Sequence, residues 1–371
     1  MLDVIKAMGC VVIIWHHLAV YSPMFDRVMW LAPDGFAALY NHGQLAVQTF
    51  LVVAGFLSAA QLLRFVPVTT QGLPASFSVP RLLAKRYLRL AIPLMAALTL
   101  TVCVTALVRP WYPHDSLSDA PRMWTLAVHV LMLQDLLRVP ALSAGIWYVA
   151  IDFQLFAIAL GCVWLAGQIQ LLQPRFNLRG LTVLLWLILS ALSLDWWNRQ
   201  TNLDVQGLYF FGSYGLGMLA YRARLSRITA KGWTIMFVLG LFAFWLEPRM
   251  RMGLAWGLAL VLAAWPNSLA SEAVASVGSR WQHVISSLAK KSYSVFLVHF
   301  AVSLLVSAVW FHLNWQEPWT NLGGMCLSFA LSLWVGSVLY RVVEHKPATW
   351  GHWVIWLVAL VSSGGLVMSL A

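Results

Sequence analysis

Apolar runs long enough to cross a membrane recur along the whole chain, and most of the charge collects in the short linkers between them. A helix needs about 20 apolar residues to span hydrocarbon, where the backbone finds no hydrogen-bond partner but itself. Runs of this kind lie at about 4–21, 44–63, 90–108, 146–166, 181–196, 206–221, 232–246, 253–265, 293–313, 321–340 and 351–370. They predict an all-α integral membrane protein, a polytopic bundle of about eleven transmembrane helices. With 61% hydrophobic residues, 10% charged and a mean hydropathy of +0.76, a soluble domain carrying one anchor is excluded. The first run starts at once, contains Lys6 and lacks a small-residue cleavage site, so it is expected to stay as the first span rather than act as a secretory signal.

A further segment, 124–137, is short and interrupted by His129, Gln134 and Asp135. Its treatment decides the topology. If it does not cross, three basic linkers share one side: Arg64, Arg81, Lys85, Arg86 and Arg89; Arg222, Arg224, Arg227 and Lys231; Arg280, Lys290 and Lys291. The positive-inside rule then makes that side cytoplasmic, with the N-terminus inside and the C-terminus on the periplasmic side. The segment is therefore expected to be re-entrant or interfacial. The formal charge of +11 is largely this excess, and suits topology and anionic lipid rather than nucleic acid, for which no soluble basic module exists.

Cys10, Cys103, Cys162 and Cys326 all fall in predicted spans, without metal-ligand spacing or a disulfide framework. Many of the 21 tryptophans, including Trp30, Trp111, Trp124, Trp315 and Trp319, flank apolar runs, as residues of an interfacial belt do.

The first span is the most informative, because ionisable groups inside one are costly and mark functional candidates. Lys6 and His17 are eleven positions apart, hence about 20° apart around a helix and roughly 16 Å apart along it. Cys10 shares their face; His16 points about 100° away from His17. An imidazole titrates near neutral pH and can take a proton from an attacking hydroxyl, so His17 is the candidate general base. His16 either orients a neighbour or bonds within the bundle. A thiolate at Cys10 would offer a covalent alternative, although only Lys6 nearby in sequence could lower its pKa.

Several motifs in order resemble the membrane-bound acyltransferase family 3. Its first helix carries a basic residue and then, after ten positions, a histidine; Lys6 and His17 fit, with lysine where arginine is usual. "VQTFLVVAGFLSA" from Val47 to Ala59 resembles the family's second helix. "AKRYLRLAIPL" supplies Arg86 and Arg89 before Pro93, and "GIWYVAIDFQLF" supplies Trp147, with Asp152 where glutamate is usual. "SYSVFLVHF", with Tyr293 and His299, and "RVVEHKP", with Glu344, are similar to the closing helices.

The resemblance implies a ten-helix acyltransferase-3 domain over 1–347 and one additional C-terminal helix over 348–371. It also implies a membrane O-acyltransferase that moves an acyl group, with acetyl expected, from cytosolic acyl-CoA to a hydroxyl of a cell-surface or exported polysaccharide or glycolipid. Acyl-CoA is then a substrate, with no permanently bound cofactor and no metal. Expected partners are the glycan or lipid-linked acceptor, membrane lipid and polysaccharide-export machinery, in a bacterial cytoplasmic (inner) membrane. Arg86, Arg89 and Lys6 become the donor anchors, since guanidinium holds phosphate in fixed geometry. His17 and Asp152 are the candidate catalytic pair, Asp152 and Trp147 orienting acceptor or base. His16, Tyr293, His299 and Glu344 support them, His299 from a structural position and Glu344 by pairing with the arginines. A transporter or flippase of acyl donor, lipid or glycan is the alternative, but the internal repeats and broken-helix pairs expected of one are not evident.

Overall fold

The computed structural model describes residues 1–66, 72–225, 230–265 and 279–370, and Arg227 lies outside them. All eleven apolar runs form helices. In chain order these are α1 (Leu2–Tyr21), α2 (Met24–Val28), α3 (Pro33–His42), α4 (Ala46–Leu62), α5 (Val79–Val108), α6 (Met123–Val130) and α7 (Trp147–Leu172). They continue with α8 (Leu178–Asp195), α9 (Gly207–Leu225), α10 (Ala230–Leu246), α11 (Met250–Ala264), α12 (Ser279–His312), α13 (Pro318–Leu339) and α14 (Trp350–Leu370).

Eight helical segments among the described residues are long and apolar enough to cross a membrane. The other three expected spans differ for identifiable reasons. The 17 residues of α10 and 15 of α11 are short. α9 has a suitable length, but Arg222 and Arg224 in its last turn lower its hydropathy. The 124–137 segment is an eight-residue helix, α6, followed by turns. At 1.5 Å per residue α6 covers about 12 Å, well short of the hydrocarbon core.

Two helices reach further back than their apolar runs. α5 begins at Val79 and α12 at Ser279, so stretches read as basic linkers are helical. Leu, Ala, Lys and Arg are good helix formers, and nothing in "RLLAKRYLRL" stops a helix extending from the span. Arg86 and Arg89 are thereby fixed in phase with α5 rather than hanging in a loop. Pro93 lies inside the same helix, where it removes one ladder hydrogen bond. Nearby, the Tyr293 hydroxyl donates to the Leu90 carbonyl at 2.9 Å and pins α12 to α5.

The chain divides into two compact units. One comprises Met1–Leu2, Val47–Ala84 and Ile151–His283; the other Asp3–Ala46, Lys85–Ala150 and Val284–Ala371. In the first, α4 and α9 approach closely through glycine. A Cβ on Gly55 would sit 1.9 Å from the Tyr214 carbonyl oxygen, and one on Gly217 would sit 2.0 Å from that of Val52. Membrane helices lack a hydrophobic drive to associate and so pack through small residues of this kind. The second unit has an apolar layer from α5 and α12, with Val104, Val108, Phe300, Ala301 and Leu304 around the buried Tyr112. α14 joins it through a relay in which Trp353 Nε1 donates to the Tyr87 hydroxyl at 3.2 Å, and that hydroxyl donates to the Val130 carbonyl at 3.0 Å.

Candidate active site

In the second unit, the α1 face marked by Lys6 and His17 carries a polar cluster at each end. Toward the N-terminal end, Lys6 is half-buried and interacts electrostatically with Asp3, Arg89 and Glu344. Glu344 closes a five-residue π-helix, Tyr340–Glu344, which continues α13. A π segment shifts the side chains that follow it, and such segments concentrate at functional sites. Here the Glu344 carboxylate accepts a 2.5 Å hydrogen bond from the Ser294 hydroxyl of α12 while also facing Arg89 and Lys6. Arg89 is exposed, and Arg86 is half-buried one turn earlier on α5. Cations from α1 and α5 therefore share one end of the unit, with the Glu344 carboxylate facing both.

Toward the other end, His17 Nδ1 lies 2.6 Å from His299 Nε2, the rings nearly parallel at 20°. His299 Nδ1 lies 2.5 Å from the Phe296 carbonyl oxygen. A carbonyl only accepts, so His299 Nδ1 carries the proton and its Nε2 is the acceptor. His17 must then donate from Nδ1, which leaves the lone pair of His17 Nε2 free. One backbone carbonyl thus sets both tautomers. His299 is 1% exposed, whereas His17 is only half-buried, so the accessible imidazole is the one with the free lone pair.

The space beside His17 is shaped by the segment after α6. Gly145 has φ +81, and a Cβ there would meet Phe296 Cζ at 2.8 Å and His17 Cε1 at 3.2 Å. Only glycine leaves that conformation unstrained and that gap open. The segment is held by His129, whose Nδ1 donates to the Thr125 carbonyl at 2.7 Å and whose Nε2 accepts from the Leu142 N–H at 3.2 Å. Burial pushes the His129 pKa below the usual imidazole value, against the pull of the Thr125 carbonyl. The sequence marks His129 only as a break in the 124–137 segment and Gly145 only as the first residue of the motif that holds Trp147, neither as a candidate site residue.

The remaining candidates fall as follows. His16 turns away from His17, as helical phase predicts, and its Nδ1 donates to the Leu39 carbonyl at 3.1 Å while its Cβ packs against Gly43. Its ring also lies 5.7 Å, centroid to centroid, from that of His17. Tyr293 ties α12 to α5. Trp147 opens α7, half-buried, within the second unit. Asp152 is buried at 5% exposure and belongs to the first unit. Cys10 is fully buried and its thiol donates to the Ser292 carbonyl at 3.7 Å; all four cysteines are free. Among the described residues, no group of three or more His, Cys, Asp or Glu is placed to hold a metal ion.

No curated protein and no solved structure shows a significant match. A family model described as an acyltransferase domain does match, over residues 1–341, nearly the whole chain and including Lys6, His17, Arg86, Arg89 and His299. The chain therefore belongs to the acyltransferase 3 family and is an integral membrane acyltransferase.

Proposed function

We propose that the protein transfers an acyl group, acetyl in the simplest case, from acyl-CoA to a hydroxyl of a cell-surface or exported polysaccharide or glycolipid. The observation that carries this reading is the ordered pair His17–His299, which presents one free imidazole lone pair within a membrane bundle. The acceptor hydroxyl gives its proton to His17 Nε2 as its oxygen attacks the thioester carbonyl. The C–S bond then breaks, and the departing CoA thiolate recovers that proton from the imidazolium. His299 holds His17 in the required tautomer and faces the imidazolium that forms. No acyl-enzyme is needed, in keeping with the buried Cys10 thiol.

Lys6, Arg86 and Arg89 hold the phosphates of the donor, Glu344 offsetting the mutual repulsion of the first and last by facing both. Lys6 and His17 are separated by roughly 16 Å along α1, which the pantetheine arm bridges. By the positive-inside rule the cationic end is cytoplasmic and the histidines lie toward the periplasmic side of a bacterial cytoplasmic membrane. Donor and acceptor thus arrive from opposite faces, and Trp147 orients the acceptor from the first turn of α7. Export machinery for the polysaccharide is the expected neighbour.

The test is acyl transfer by purified protein in nanodiscs, following radiolabelled acetyl from acetyl-CoA to surface glycan extracted from cells lacking the protein. Transfer that is lost in His17→Ala and kept in Cys10→Ser is expected. Near-normal transfer by His17→Ala would overturn the assignment.

A further inference from the structure

At the end of α1 beyond His17, the chain turns through Ser22 and Pro23 into α2, against the last turns of α12 and the start of α13. An open cavity of about 270 Å³ lies between these elements. Two indoles stand in its wall: Trp310 and Trp315 have centroids 4.8 Å apart and planes crossing at 80°. Trp310 Nε1 is committed to the Thr320 carbonyl at 3.1 Å, and Trp315 is 43% exposed.

Three carboxamides line the same cavity. Gln316 Nε2 donates to Asn314 Oδ1 at 2.6 Å, in a turn where Asn314 takes φ +52. The buried Asn321 donates from Nδ2 to the Trp315 and Glu317 carbonyls, at 3.0 and 2.9 Å, which leaves Oδ1 as an acceptor. Asp26 and Arg27 of α2 add one carboxylate and one guanidinium.

This combination is specific in its chemistry. A pyranose presents a flat C–H face, which packs on an indole, and an edge of hydroxyls that each donate and accept, which planar amides and a carboxylate match. A purely apolar ligand would leave Asn321 Oδ1 and the Asp26 carboxylate unmatched, and a phosphate would face Asp26 as well as Arg27. We infer that this cavity binds a sugar unit of the acceptor, an inference that rests on the glycan acceptor proposed above.

Its place in the fold says which unit of the acceptor that is. Trp310 follows His299 by eleven residues on α12, so it lies about 16 Å further along and on nearly the same face. The Tyr21–Phe300 edge contact, centroids 5.5 Å apart, and the Ser22–Ser307 hydroxyl pair at 3.0 Å lie between the two levels. The bound sugar is therefore a flanking unit of the chain and not the one acylated. Its contribution is to acceptor KM and leaves kcat alone.

The competing account makes Trp310 and Trp315 members of the interfacial belt, like Trp319, which is 72% exposed and does not line the cavity. Full-length protein in nanodiscs is probed by saturation-transfer NMR with a panel of methyl glycopyranosides and N-acetylhexosamines at millimolar concentration. The expected result is saturable transfer to at least one glycoside by wild type and Trp319→Ala, weakened at least fivefold in Trp315→Ala and in the exposed-site variant Gln316→Ala. Absence of transfer to every glycoside, or equal transfer in all variants, overturns the inference. Acyl-CoA hydrolysis by the same samples separates the two readings. Hydrolysis without glycoside binding sinks the cavity and leaves the acyl transfer; glycoside binding without thioester cleavage sinks the acyl transfer and leaves the cavity.

Discussion

In the unit built from Asp3–Ala46, Lys85–Ala150 and Val284–Ala371, ionisable side chains meet one another across helices. His17 meets His299, and Glu344 faces Lys6 and Arg89. In the other unit, Glu247 pairs with Arg199 at 3.1 Å and with Arg249 at 3.5 Å, while the other polar side chains mostly close off backbone groups. Arg179 Nε donates to the Val66 carbonyl at 2.8 Å, Trp186 Nε1 to that of Ala159 at 3.1 Å, and Gln170 Oε1 accepts from the Gly72 N–H at 2.8 Å. A bond to backbone holds one arrangement and has nothing to exchange. A chain of titratable groups can move a proton. The two units thus separate substitutions that should remove chemistry from those that should remove stability.

The largest expected effect is at His17. His17→Ala should lower turnover by about 10²–10⁴-fold, the usual contribution of a positioned general base, with an unchanged melting temperature. A melting temperature that falls with the activity would erase the distinction between the units. His299→Ala should cost about 10–100-fold, the range for a group acting through another. His299→Gln should recover part of it, because an amide oxygen can accept from His17 Nδ1; recovery equal to that of His299→Leu would show that only volume matters there.

In the other unit, Gly217→Ala places a methyl against the Val52 carbonyl, and overpacking of this kind costs about 1–3 kcal/mol. Thermal unfolding should shift downward while turnover per folded molecule stays the same. Lys6→Ala should raise donor KM roughly tenfold, one charge-assisted contact to phosphate, and leave acceptor KM alone. Equal changes in both constants would place Lys6 elsewhere in the cycle.

The smallest effect concerns pH. His129 is neutral in the fold and its pKa is depressed, so the unfolded segment binds the proton first. Its contribution is complete above about pH 6.5 and is lost as pH falls through the depressed folded value. Protonation would also place N–H against the Leu142 N–H. Amide exchange across 131–146 should therefore quicken below pH 6.5 in wild type, and a His129→Gln variant should show no such pH dependence.

Much of the first helix was legible directly. An eleven-residue spacing fixes phase in any α-helix, so Lys6, Cys10 and His17 share a face and His16 does not, whatever surrounds them. The direction of Arg86 and Arg89 was less legible, because a basic stretch beside an apolar run reads as linker until the helix is seen to continue through it. His299 was harder still. Its sequence neighbours give no sign that a carbonyl three residues earlier fixes its tautomer, or that the acceptor nitrogen this leaves meets a ring 282 residues away.

The sequence by itself determined that this chain lives in a membrane, where its apolar runs form helices, and which stretches carry charge. Those properties follow from transfer free energy and helical periodicity, both local. Only the tertiary structure decided which imidazole donates and which accepts, why Gly145 must lack a side chain, and where Ser294 meets Glu344. These depend on distances between helices far apart in the chain, and hydrogen-bond direction is settled by the partner rather than by the residue itself.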